Sequence, residues 1–405
     1  MNATDTKTRY QGPPDYRTVG RHGVFPQTTH DEIERFNYLA QMNRHLATRV
    51  LPSVRTVFEK RVAPRVAAAG GRFANRHDVR KALLRDPYYQ TWSALRRMTM
   101  EQRQQAGRWV AVRQAEELAA KVDRAVTDDP GGFVPDPAVK IPRYVSAVDH
   151  HCMPGSYHTE LFPGDVSAAS NYDSGIFATT GGTLGRYSDG GGQALLRWVH
   201  HNLPEFEPRD ILDIGATLGH SLLPIAAAYP RAQVVAVDVS RPVLRYALAR
   251  ARSLGIGNVR FVQADGADLS RFRDSSFDWV QTTMFLHELS NPSMRAIMRE
   301  SFRVLRPGGV VLHVEQPQYT KAMPLFEQAM RDWDAFYNNE PFWSTMHEID
   351  LAGLMIDAGF KKPDLIHGAA TAIVDRDVFP DAADDRGEDY GRKAAWHVIG
   401  ARKAA

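Results

Sequence analysis

Three aspartates in the second half of the chain have a spacing that suits the binding of a nucleoside. Asp213, Asp238 and Asp265 lie near the carboxyl ends of the apolar runs ILDI, VVAV and VRFV. Such runs are typical of buried strands, and the carboxyl ends of parallel strands meet at one edge of a sheet. Asp238 stands 23 residues after Gly215, where a carboxylate can accept two hydrogen bonds from ribose hydroxyls.

A glycine loop, Asp213-Ile-Gly215-Ala-Thr217-Leu-Gly219, joins the first of these strands to a helix. Glycine lets the backbone approach a ligand closely, and the start of a helix offers free N–H groups, so this is a mononucleotide-binding unit. The dinucleotide pattern G-x-G-x-x-G fails at Thr217, and the sequence contains no Walker phosphate loop. The loop therefore disfavours a dinucleotide.

The elements that must position these residues follow a regular alternation after Gly192. The apolar runs ILDI, VVAV, VRFV, DWVQTT and VVLHV alternate with helical segments, which predicts a parallel sheet with helices on both faces. Two further strands, near Asp364–Val374 and Ala395–Arg402, predict a closing antiparallel hairpin. We predict an α/β, doubly wound, Rossmann-like fold with a seven-stranded, mostly parallel sheet, preceded by an α-helical N-terminal domain.

The order of these features resembles that of the class I S-adenosylmethionine-dependent methyltransferases. Asp213-Ile-Gly215, Asp238, Ala264-Asp265, the strand SSFDWV and the turn LRPGG (Leu305 to Gly309) follow one another as they do in that family, and are most similar to its ubiquinone/menaquinone-biosynthesis type. The resemblance covers about residues 195–405. It implies a methyltransferase (EC 2.1.1) whose cofactor is S-adenosyl-L-methionine.

The resemblance also implies which residues hold the cofactor. Residues 213–219 would lie under the methionine part, Asp238 would take the ribose and Asp265 would meet the adenine amino group. The full implied set is Asp213, Gly215, Ala216, Thr217, Gly219, Asp238, Val239, Asp265, Gly266 and Thr283. The family usually has a third glycine where Thr217 stands, so we expect a lower cofactor affinity or a differently shaped loop, but no loss of binding. The alternative is a doubly wound domain whose acids serve solubility.

His287 and Glu288 follow the fourth strand, DWVQTTMFLHEL, which the resemblance places beside the transferable methyl group. An acceptor hydroxyl, amine or acidic carbon must lose a proton, so His287 is our candidate general base. Glu288 would orient the His287 ring or favour its charged form. The competing role for His287 is to shape the pocket or to cap the helix that begins near Asn291. Glu315, at the end of the fifth strand, is either part of the pocket rim or an ordinary strand-end carboxylate.

The segment Asp149-His150-His151-Cys152, with His158 close behind, contains potential zinc ligands. Structural zinc is usually held by four soft ligands in paired short spacings, and adjacent histidines without a second cysteine fit that pattern poorly. We therefore predict no metal. This region, with Tyr172 and Asp173, is expected to fold over the cofactor or to line the acceptor pocket.

A cluster of aromatic residues follows the fifth strand, in the segment DWDAFYNNEPFW. An aromatic wall suits a flat or apolar small molecule, and the resemblance implies that an insertion at this point shapes the acceptor site. A core that joins the catalytic domain to the N-terminal helices explains the same rings equally well. The aromatic residues are Trp333, Phe336, Tyr337, Phe342 and Trp343.

The N-terminal part of the chain has a helical period. Apolar positions recur at spacings of three and four over residues 31–68, with a break expected near Pro52, and again over residues 89–126. Residues 1–29 are expected to wrap along the surface or to remain loose, and the Gly- and Pro-rich residues 127–192 to form loops. The predicted domains are 1–126 (helical, lid or oligomerisation), 127–194 (linker covering the active site) and 195–405 (methyltransferase).

Composition bounds the function further. The chain has 405 residues, 43% hydrophobic and 24% charged, and 50 basic against 47 acidic residues, so nucleic acid is not demanded as a partner. The lone Cys152 excludes an intramolecular disulfide. The polar start lacks a secretory apolar core, and no apolar run of membrane-spanning length occurs, so we expect a cytoplasmic protein without a membrane span.

Three hypotheses follow. The first is a methyltransferase that acts by direct displacement on a small organic acceptor, a specialised metabolite, and has the N-terminal helices as lid and homodimer contact. The second is a non-catalytic, cofactor-binding regulatory or assembly protein, which Thr217 favours. The third is a protein or RNA methyltransferase that docks its substrate on the arginine-bearing helices.

Overall fold

A mixed β-sheet forms the centre of the structure, a computed structural model that describes residues 12–371, 388–389, 392–393 and 395–405. Its strands are β1 (Phe133–Val134), β2 (Asp210–Ile214), β3 (Gln233–Asp238), β4 (Val259–Gln263), β5 (Phe277–Thr283), β6 (Leu305–Glu315), β7 (Leu365–Thr371) and β10 (Ala395–Arg402). A separate pair consists of β8 (Glu388–Asp389) and β9 (Arg392–Lys393). The sheet order is β1-β4-β3-β2-β5-β6-β10-β7.

The strand pairing confirms the predicted doubly wound fold. Strands β1 to β6 run parallel to one another, whereas β10 is antiparallel to the two strands beside it, β6 and β7. The seven expected strands are present, and the two-residue β1 adds an eighth beside β4. The chain order reverses between β2 and β5, and in open α/β sheets ligands bind in the crevice at such a reversal.

Helices cover both faces of the sheet, which explains why its strands read as unbroken apolar runs. Alternate residues of one strand enter different cores: Ile211 packs into one hydrophobic cluster and Leu212 into the other. The helices of this half are α9 (Gly190–Asn202), α10 (Leu223–Ala228), α11 (Arg241–Ser253), α12 (Asn291–Val304), α13 (Leu325–Arg331), α14 (Trp333–Tyr337), α15 (Trp343–Glu348) and α16 (Leu351–Ala358).

The first predicted helical tract is helical throughout, but it changes type instead of breaking. It runs through α1 (His30–His45), α2 (Leu51–Val57) and α3 (Ala63–Ala68), which are joined by the π-helical stretches Leu46–Val50 and Phe58–Val62. Pro52 and Pro64 are each the second residue after a π-helical stretch. Proline has no N–H to donate, and the wider turn before it accommodates the missing hydrogen bond, so the helix continues.

The second tract divides into two helices, α5 (Pro87–Val112) and α6 (Ala115–Asp128), preceded by α4 (Arg76–Leu83). Asp86 caps α5, because its side chain accepts a hydrogen bond from the Tyr88 N–H. Helix α6 packs on α11 of the sheet half, and α4 packs on α13. The helical part is therefore joined to the sheet half at several points, and the division into three domains stays a prediction.

The expectation of loops over residues 127–192 was wrong for part of this range. Residues 167–180 form the buried helix α8, α7 (Arg143–Ser146) precedes it, and α9 begins at Gly190, so the predicted boundary at 194/195 falls inside a helix. The small residues that favour turns instead permit close helix packing. A Cβ on Gly175 would lie 2.7 Å from Arg103 Nε on α5, and one on Gly107 would lie 2.2 Å from Asn171 Oδ1.

The N-terminal segment is anchored where the sequence predicted a surface or loose course. From residue 12 onward, Tyr16 is buried against Phe36 at 4.5 Å between ring centroids, and its hydroxyl donates to the Ser174 carbonyl at 2.9 Å. His22 Nε2 lies 2.7 Å from Asp173 Oδ2. Residues 1–11 lie outside the described part of the chain.

Asp173 joins this segment to the glycine loop. Besides His22, its carboxylate contacts His220 Nε2 at 2.8 Å and accepts a hydrogen bond from the Tyr246 hydroxyl at 2.8 Å. Burial would raise the pKa of Asp173, but the histidines, His22 first, hold it well below its usual value. The carboxylate therefore stays ionised between α8, α11 and the end of the loop.

No helix in the described part of the chain is long and apolar enough to cross a membrane.

We expect Asp173→Ala to lower the free energy of unfolding by roughly 3 to 5 kcal/mol, because it leaves buried polar partners without their anion. Urea unfolding followed by circular dichroism measures the change. Asp31→Ala, which removes an exposed carboxylate paired with His30 at 3.1 Å, is the control and should cost less than about 1 kcal/mol. Equal losses in the two variants would contradict the central role of Asp173.

Candidate functional site

The glycine loop lies in the crevice where the strand order reverses. After β2, the N–H groups of Gly215 and Ala216 both donate to the Val237 carbonyl, at 2.8 and 3.1 Å. Gly215, Thr217 and Gly219 have positive φ angles of 77°, 42° and 71°. The chain thus turns sharply at the end of β2, and these backbone hydrogen bonds fix the shape of the loop.

Thr217 occupies the left-handed region, which is costly for a β-branched residue. This explains why a glycine is usual at the position in the resembling family. The Thr217 N–H donates to Asp238 Oδ2 at 3.0 Å, and this bond holds the strained residue in place. The replacement therefore keeps the shape of the turn and adds strain to it.

Asp238 ties the end of β3 to the loop. Its Oδ2 accepts from Thr217 and its Oδ1 accepts from the Ser240 N–H at 2.9 Å. Burial raises the pKa of Asp238 to about 6, against the lowering effect of these backbone donors. A carboxylate has about four acceptor positions, so two remain for the ribose hydroxyls that the sequence assigns to it.

Asp213 is a buried carboxylate whose environment calls for a cation. It is 3% exposed and accepts a hydrogen bond from Gln281 Nε2 at 3.3 Å, and burial raises its pKa to about 8. A positively charged group bound beside it would restore the ionised form. The ammonium of the methionine part of S-adenosylmethionine is such a group, so Asp213 fits the predicted cofactor.

The remaining predicted cofactor residues border the same crevice. Asp265 is half-buried and accepts from the Ala267 N–H at 2.9 Å. Thr283, the last residue of β5, has a buried hydroxyl with no hydrogen-bond partner in the described part of the chain, so it is available to a ligand. The Val239 carbonyl accepts from Gln263, and a Cβ on Gly266 would meet Ile214 at 2.3 Å, so these two positions act through the backbone.

Glu315 holds the turn after β5. Its Oε1 accepts from the Phe285 and Leu286 N–H groups at 2.8 and 2.5 Å, and its Oε2 lies 2.9 Å from His287 Nδ1. The side chain is 1% exposed, so Glu315 is neither a solvated rim residue nor an ordinary solvated strand-end carboxylate. The turn also meets the glycine loop, because a Cβ on Gly215 would lie 2.3 Å from the Phe285 ring.

His287 is oriented by Glu315, whereas Glu288 faces its other nitrogen. Nε2 of His287 lies 3.8 Å from Glu288 Oε1 and 3.9 Å from Glu340 Oε2. Burial lowers the pKa of His287, but the carboxylates, that of Glu315 first, outweigh it and raise the pKa to about 9. At neutral pH the imidazole thus donates hydrogen bonds, and acting as a base requires that another cation first offset these carboxylates.

Five side chains converge beside this turn, and we call them the histidine–glutamate cluster: His150, His151, His287, Glu288 and Glu340. Glu288 Oε1 lies 3.3 Å from His151 Nε2, and its Oε2 lies 2.6 Å from His150 Nδ1. Glu340 Oε1 lies 2.9 Å from His151 Nδ1. Burial would raise the pKa of Glu288, but the neighbouring imidazoles, that of His150 first, hold it well below its usual value.

Residues from the 127–194 region pack beside the histidine–glutamate cluster and the end of the glycine loop. The Ser240 hydroxyl donates to the Tyr157 carbonyl at 2.9 Å. The Tyr157 and Tyr172 rings pack edge to face at 5.4 Å between centroids, and Tyr172 lies 5.7 Å from His220. The covering layer thus contacts both sides of the crevice.

The aromatic segment divides between the core of the N-terminal helices and the surroundings of His287. Trp333 is buried among the N-terminal helices, and its Nε1 donates to the Ser93 hydroxyl on α5 at 2.8 Å. Trp343 instead packs on His287 at 4.8 Å between centroids. Phe342 packs on Tyr144 in the covering layer at 6.0 Å. Phe336 and Tyr337 lie under Arg80, the former 3.5 Å from its guanidinium carbon.

Sequence reasoning missed Glu340. It lies between α14 and α15, and its neighbours in the sequence, NNEPF, carry no catalytic motif. It also did not predict that neighbouring residues of the segment 149–152 would point to different places. His151 joins the cluster, whereas the thiol of Cys152 points to the Tyr337 carbonyl at 3.8 Å. Burial raises the pKa of Cys152 to about 11, so it stays a thiol.

A family model described as a methyltransferase domain matches residues 211–309. The match begins in β2, and it includes the glycine loop, both strand-end acids of β3 and β4, and the turn with His287. The chain carries a class I S-adenosylmethionine-dependent methyltransferase domain. The sequence-based identification, the ubiquinone/menaquinone-biosynthesis type and the cofactor of the methyltransferase domain are thereby confirmed.

Relatives of the methyltransferase domain include enzymes for different acceptor atoms. The ubiquinone/menaquinone biosynthesis C-methyltransferase UbiE of Pseudomonas fluorescens is 31% identical over 149 residues, 33% of this chain and 57% of that protein. Nocamycin O-methyltransferase of Saccharothrix syringae is 36% identical over 101 residues, 25% of this chain and 35% of that protein. A solved S-adenosylmethionine-dependent methyltransferase from Aquifex aeolicus has a TM-score of 0.34 and 16% identity, and covers 52% of this chain and 88% of that one.

The chain spans about half the length of the curated relatives it matches, from 35% to 61%. The family match leaves the helices before residue 211 outside it. The activity of the whole protein therefore has to be argued from its own residues.

We expect Thr217→Gly to raise the free energy of unfolding by about 1 kcal/mol, since relief of the positive-φ strain exceeds the entropy that glycine loses on folding. Thr56→Gly, on the exposed surface of α2, is the matched control and should lower stability by a few tenths of a kcal/mol, the difference between the helix propensities of Thr and Gly. Chemical denaturation measures both. A loss of stability in Thr217→Gly would show that the threonine side chain supports the loop.

We expect Asp213→Asn to change how stability depends on pH. In the cofactor-free protein the folded state keeps the Asp213 proton up to about pH 8, whereas the unfolded state loses it near 3.8, so this contribution is lost as the pH rises between those values. The advantage of Asp213→Asn over the wild type should therefore grow from about pH 5 to about pH 8 in urea unfolding. Asp268→Asn, an exposed control, should follow the wild-type profile, and parallel profiles for both variants would contradict the buried charge.

Proposed function

We propose that this chain is a methyltransferase that transfers a methyl group from S-adenosylmethionine to a small organic acceptor by direct displacement. The observation that carries the proposal is the position of the histidine–glutamate cluster. The Phe285 ring packs on Gly215, two residues before His287, so the cofactor loop and the cluster share one crevice. A specialised metabolite remains our proposal for the acceptor class.

Burial of the cluster supports a small acceptor. His150, His287 and Glu340 are 1%, 2% and 2% exposed beneath the covering layer. A side chain on a protein, or a base of a folded RNA, would have to displace that layer to reach them. A small molecule needs only a transient opening, so the burial favours the first hypothesis over a protein or RNA methyltransferase.

The chain's own residues divide the work between binding and alignment. Asp213, residues 215–219, Asp238 and Asp265 would hold the cofactor, which when bound supplies an electrophilic methyl group on a sulfonium. The turn at 285–288 positions the acceptor against the glycine loop, and Tyr157 and Tyr172 exclude water. His287 and Glu288 stay our predicted catalytic pair, and Glu315 fixes the His287 ring.

Thr217, the residue that favours the non-catalytic hypothesis, keeps the left-handed turn of the loop, so it does not by itself separate a cofactor-binding regulatory protein from an enzyme. A homodimer through the N-terminal helices stays a proposal, supported by Tyr38 and Trp109, which are 52% and 62% exposed on α1 and α5. A cytoplasmic location is likewise a prediction.

Incubation of the protein with isotopically labelled S-adenosylmethionine and host metabolite extract tests the function, with mass spectrometry to identify the labelled product. We expect a labelled small molecule. In the same assay His287→Ala should lower kcat about 100-fold, and an unchanged kcat would remove His287 from catalysis. Cofactor binding in calorimetry without any labelled product would favour the regulatory hypothesis.

Asp238→Ala tests the cofactor assignment separately. Loss of hydrogen bonds to a charged group should weaken S-adenosylmethionine binding roughly 10- to 100-fold in calorimetry. Asp268→Ala, the exposed control in the loop after β4, should bind like the wild type. Unaltered affinity in Asp238→Ala would overturn the ribose contact.

A further inference from the structure

We propose that His151, Glu288 and Glu340 bind one divalent transition-metal ion, and that this ion holds an oxygen-donor acceptor. One ring nitrogen of His151 and one carboxylate oxygen of each glutamate all lie within 4.8 Å of one another. The three come from separate turns, Glu288 after β5, His151 before α8 and Glu340 between α14 and α15. The tertiary structure therefore brings together ligands that the sequence keeps far apart.

One ion would take a single nitrogen of His151 and one oxygen of each glutamate. Two ligand atoms that each lie about 2.1 Å from one ion are roughly 3.0 to 3.5 Å apart at tetrahedral or octahedral angles. Glu288 Oε1 lies 3.3 Å from His151 Nε2, whereas the 2.9 Å contact of Glu340 Oε1 is with the other ring nitrogen, Nδ1. The three ligand atoms lie within 4.8 Å of one another, so rotation of the Glu340 side chain towards the nitrogen that faces Glu288 would bring them to one centre.

An unsatisfied oxygen supplies an independent sign of a missing partner. Glu340 is 2% exposed, and its Oε2 has no hydrogen-bond partner in the described part of the chain. Glu288 Oε2, by contrast, already lies 2.6 Å from His150 Nδ1, so the oxygen that lacks a partner belongs to Glu340. Buried carboxylate oxygens are costly without a partner, and a cation supplies one.

Surrounding residues hold the ligands as they do in metal centres. Asn338 donates to Glu340, and His150 Nε2 lies 3.1 Å from the Tyr144 carbonyl. His287 faces both glutamates through Nε2 while Glu315 holds its Nδ1 at 2.9 Å. Partners that fix the carboxylates and rings around an ion are a general feature of protein metal sites.

The donor set selects the kind of ion. One imidazole with two carboxylates suits Zn²⁺, Mn²⁺ or Fe²⁺, whereas Mg²⁺ prefers oxygen and water alone. Our sequence-based prediction of no metal considered zinc held by paired Cys and His spacings, which this set does not use. Three protein ligands also leave coordination positions free for an exogenous ligand.

The acceptor class follows, and this step rests on the proposed function. If the cluster holds the acceptor, the free positions on the ion favour small molecules with two neighbouring oxygen donors, such as a hydroxyl beside a carbonyl or a second hydroxyl. Coordination lowers the pKa of such a hydroxyl and so prepares it for methylation. The positive charge also offsets the carboxylates around His287.

Calorimetry with the chelator-treated full chain and Zn²⁺ alone tests the metal site, without cofactor or acceptor. We expect one ion per chain, with Mg²⁺ at least about 100-fold weaker. Glu340→Gln and His151→Ala should each weaken Zn²⁺ binding at least about tenfold, and His158→Ala, a nearby histidine outside the cluster, should not. Near-ultraviolet circular dichroism checks that each variant is folded. Absence of Zn²⁺ binding, or equal binding by the wild type and Glu340→Gln, would overturn the site.

Cobalt substitution tests the acceptor step. With Co²⁺ in the wild type, the visible absorption bands should shift when catechol, the oxygen-chelating probe, is added. His158→Ala should show the same shift. Unchanged bands would overturn the acceptor assignment while leaving the metal site in place. Because neither measurement needs turnover, a failure of the metal site is distinct from a failure of the labelled-cofactor assay.

Discussion

The carboxylate of Glu315, buried at the end of β6, is the contact on which the acceptor side of the crevice depends. It accepts from two successive backbone N–H groups after β5 and from the His287 ring, so one side chain sets both the path of the turn and the orientation of the imidazole. Within this turn, the Phe285 ring packs on Gly215. Asp238 plays the matching part on the cofactor side, where it accepts from the loop and from the start of α11. Two buried carboxylates thus shape the two walls of one cleft.

Because the histidine–glutamate cluster is buried, each of its charges needs a partner of opposite charge. Removing a carboxylate from water is costly, and an imidazole or an ion must compensate it. Each glutamate in the cluster is therefore matched with a histidine, and the pKa of His287 rises because three carboxylates surround it. The same low dielectric raises the pKa of Asp213, which has a neutral amide partner instead of a cation. The crevice thus holds ionised carboxylates in the cluster and a carboxyl at Asp213 that keeps its proton until a cation is bound beside it.

The helical part of the chain is tied to this crevice through Asp173. Helix α8 carries Asp173 to His220 at the end of the glycine loop, to Tyr246 on α11 and to His22 in the N-terminal segment. The N-terminal segment, α8, α11 and the end of the glycine loop therefore meet at one buried, ionised group.

The sequence by itself determined the sheet and the cofactor side. Unbroken apolar runs predict strands buried on both faces, and Asp213, Asp238 and Asp265 lie within a few residues of those strand ends, so local pattern sufficed to place them. It misjudged α8, because the small residues that mark turns also permit close helix packing, as at Gly175. The burial and the contacts of Glu315 and Glu340 were decided by tertiary structure alone. A single carboxylate has the same local pattern whether it is solvated or buried, and only packing brings Glu340 from between two short helices to His151, nearly 190 residues before it in the chain.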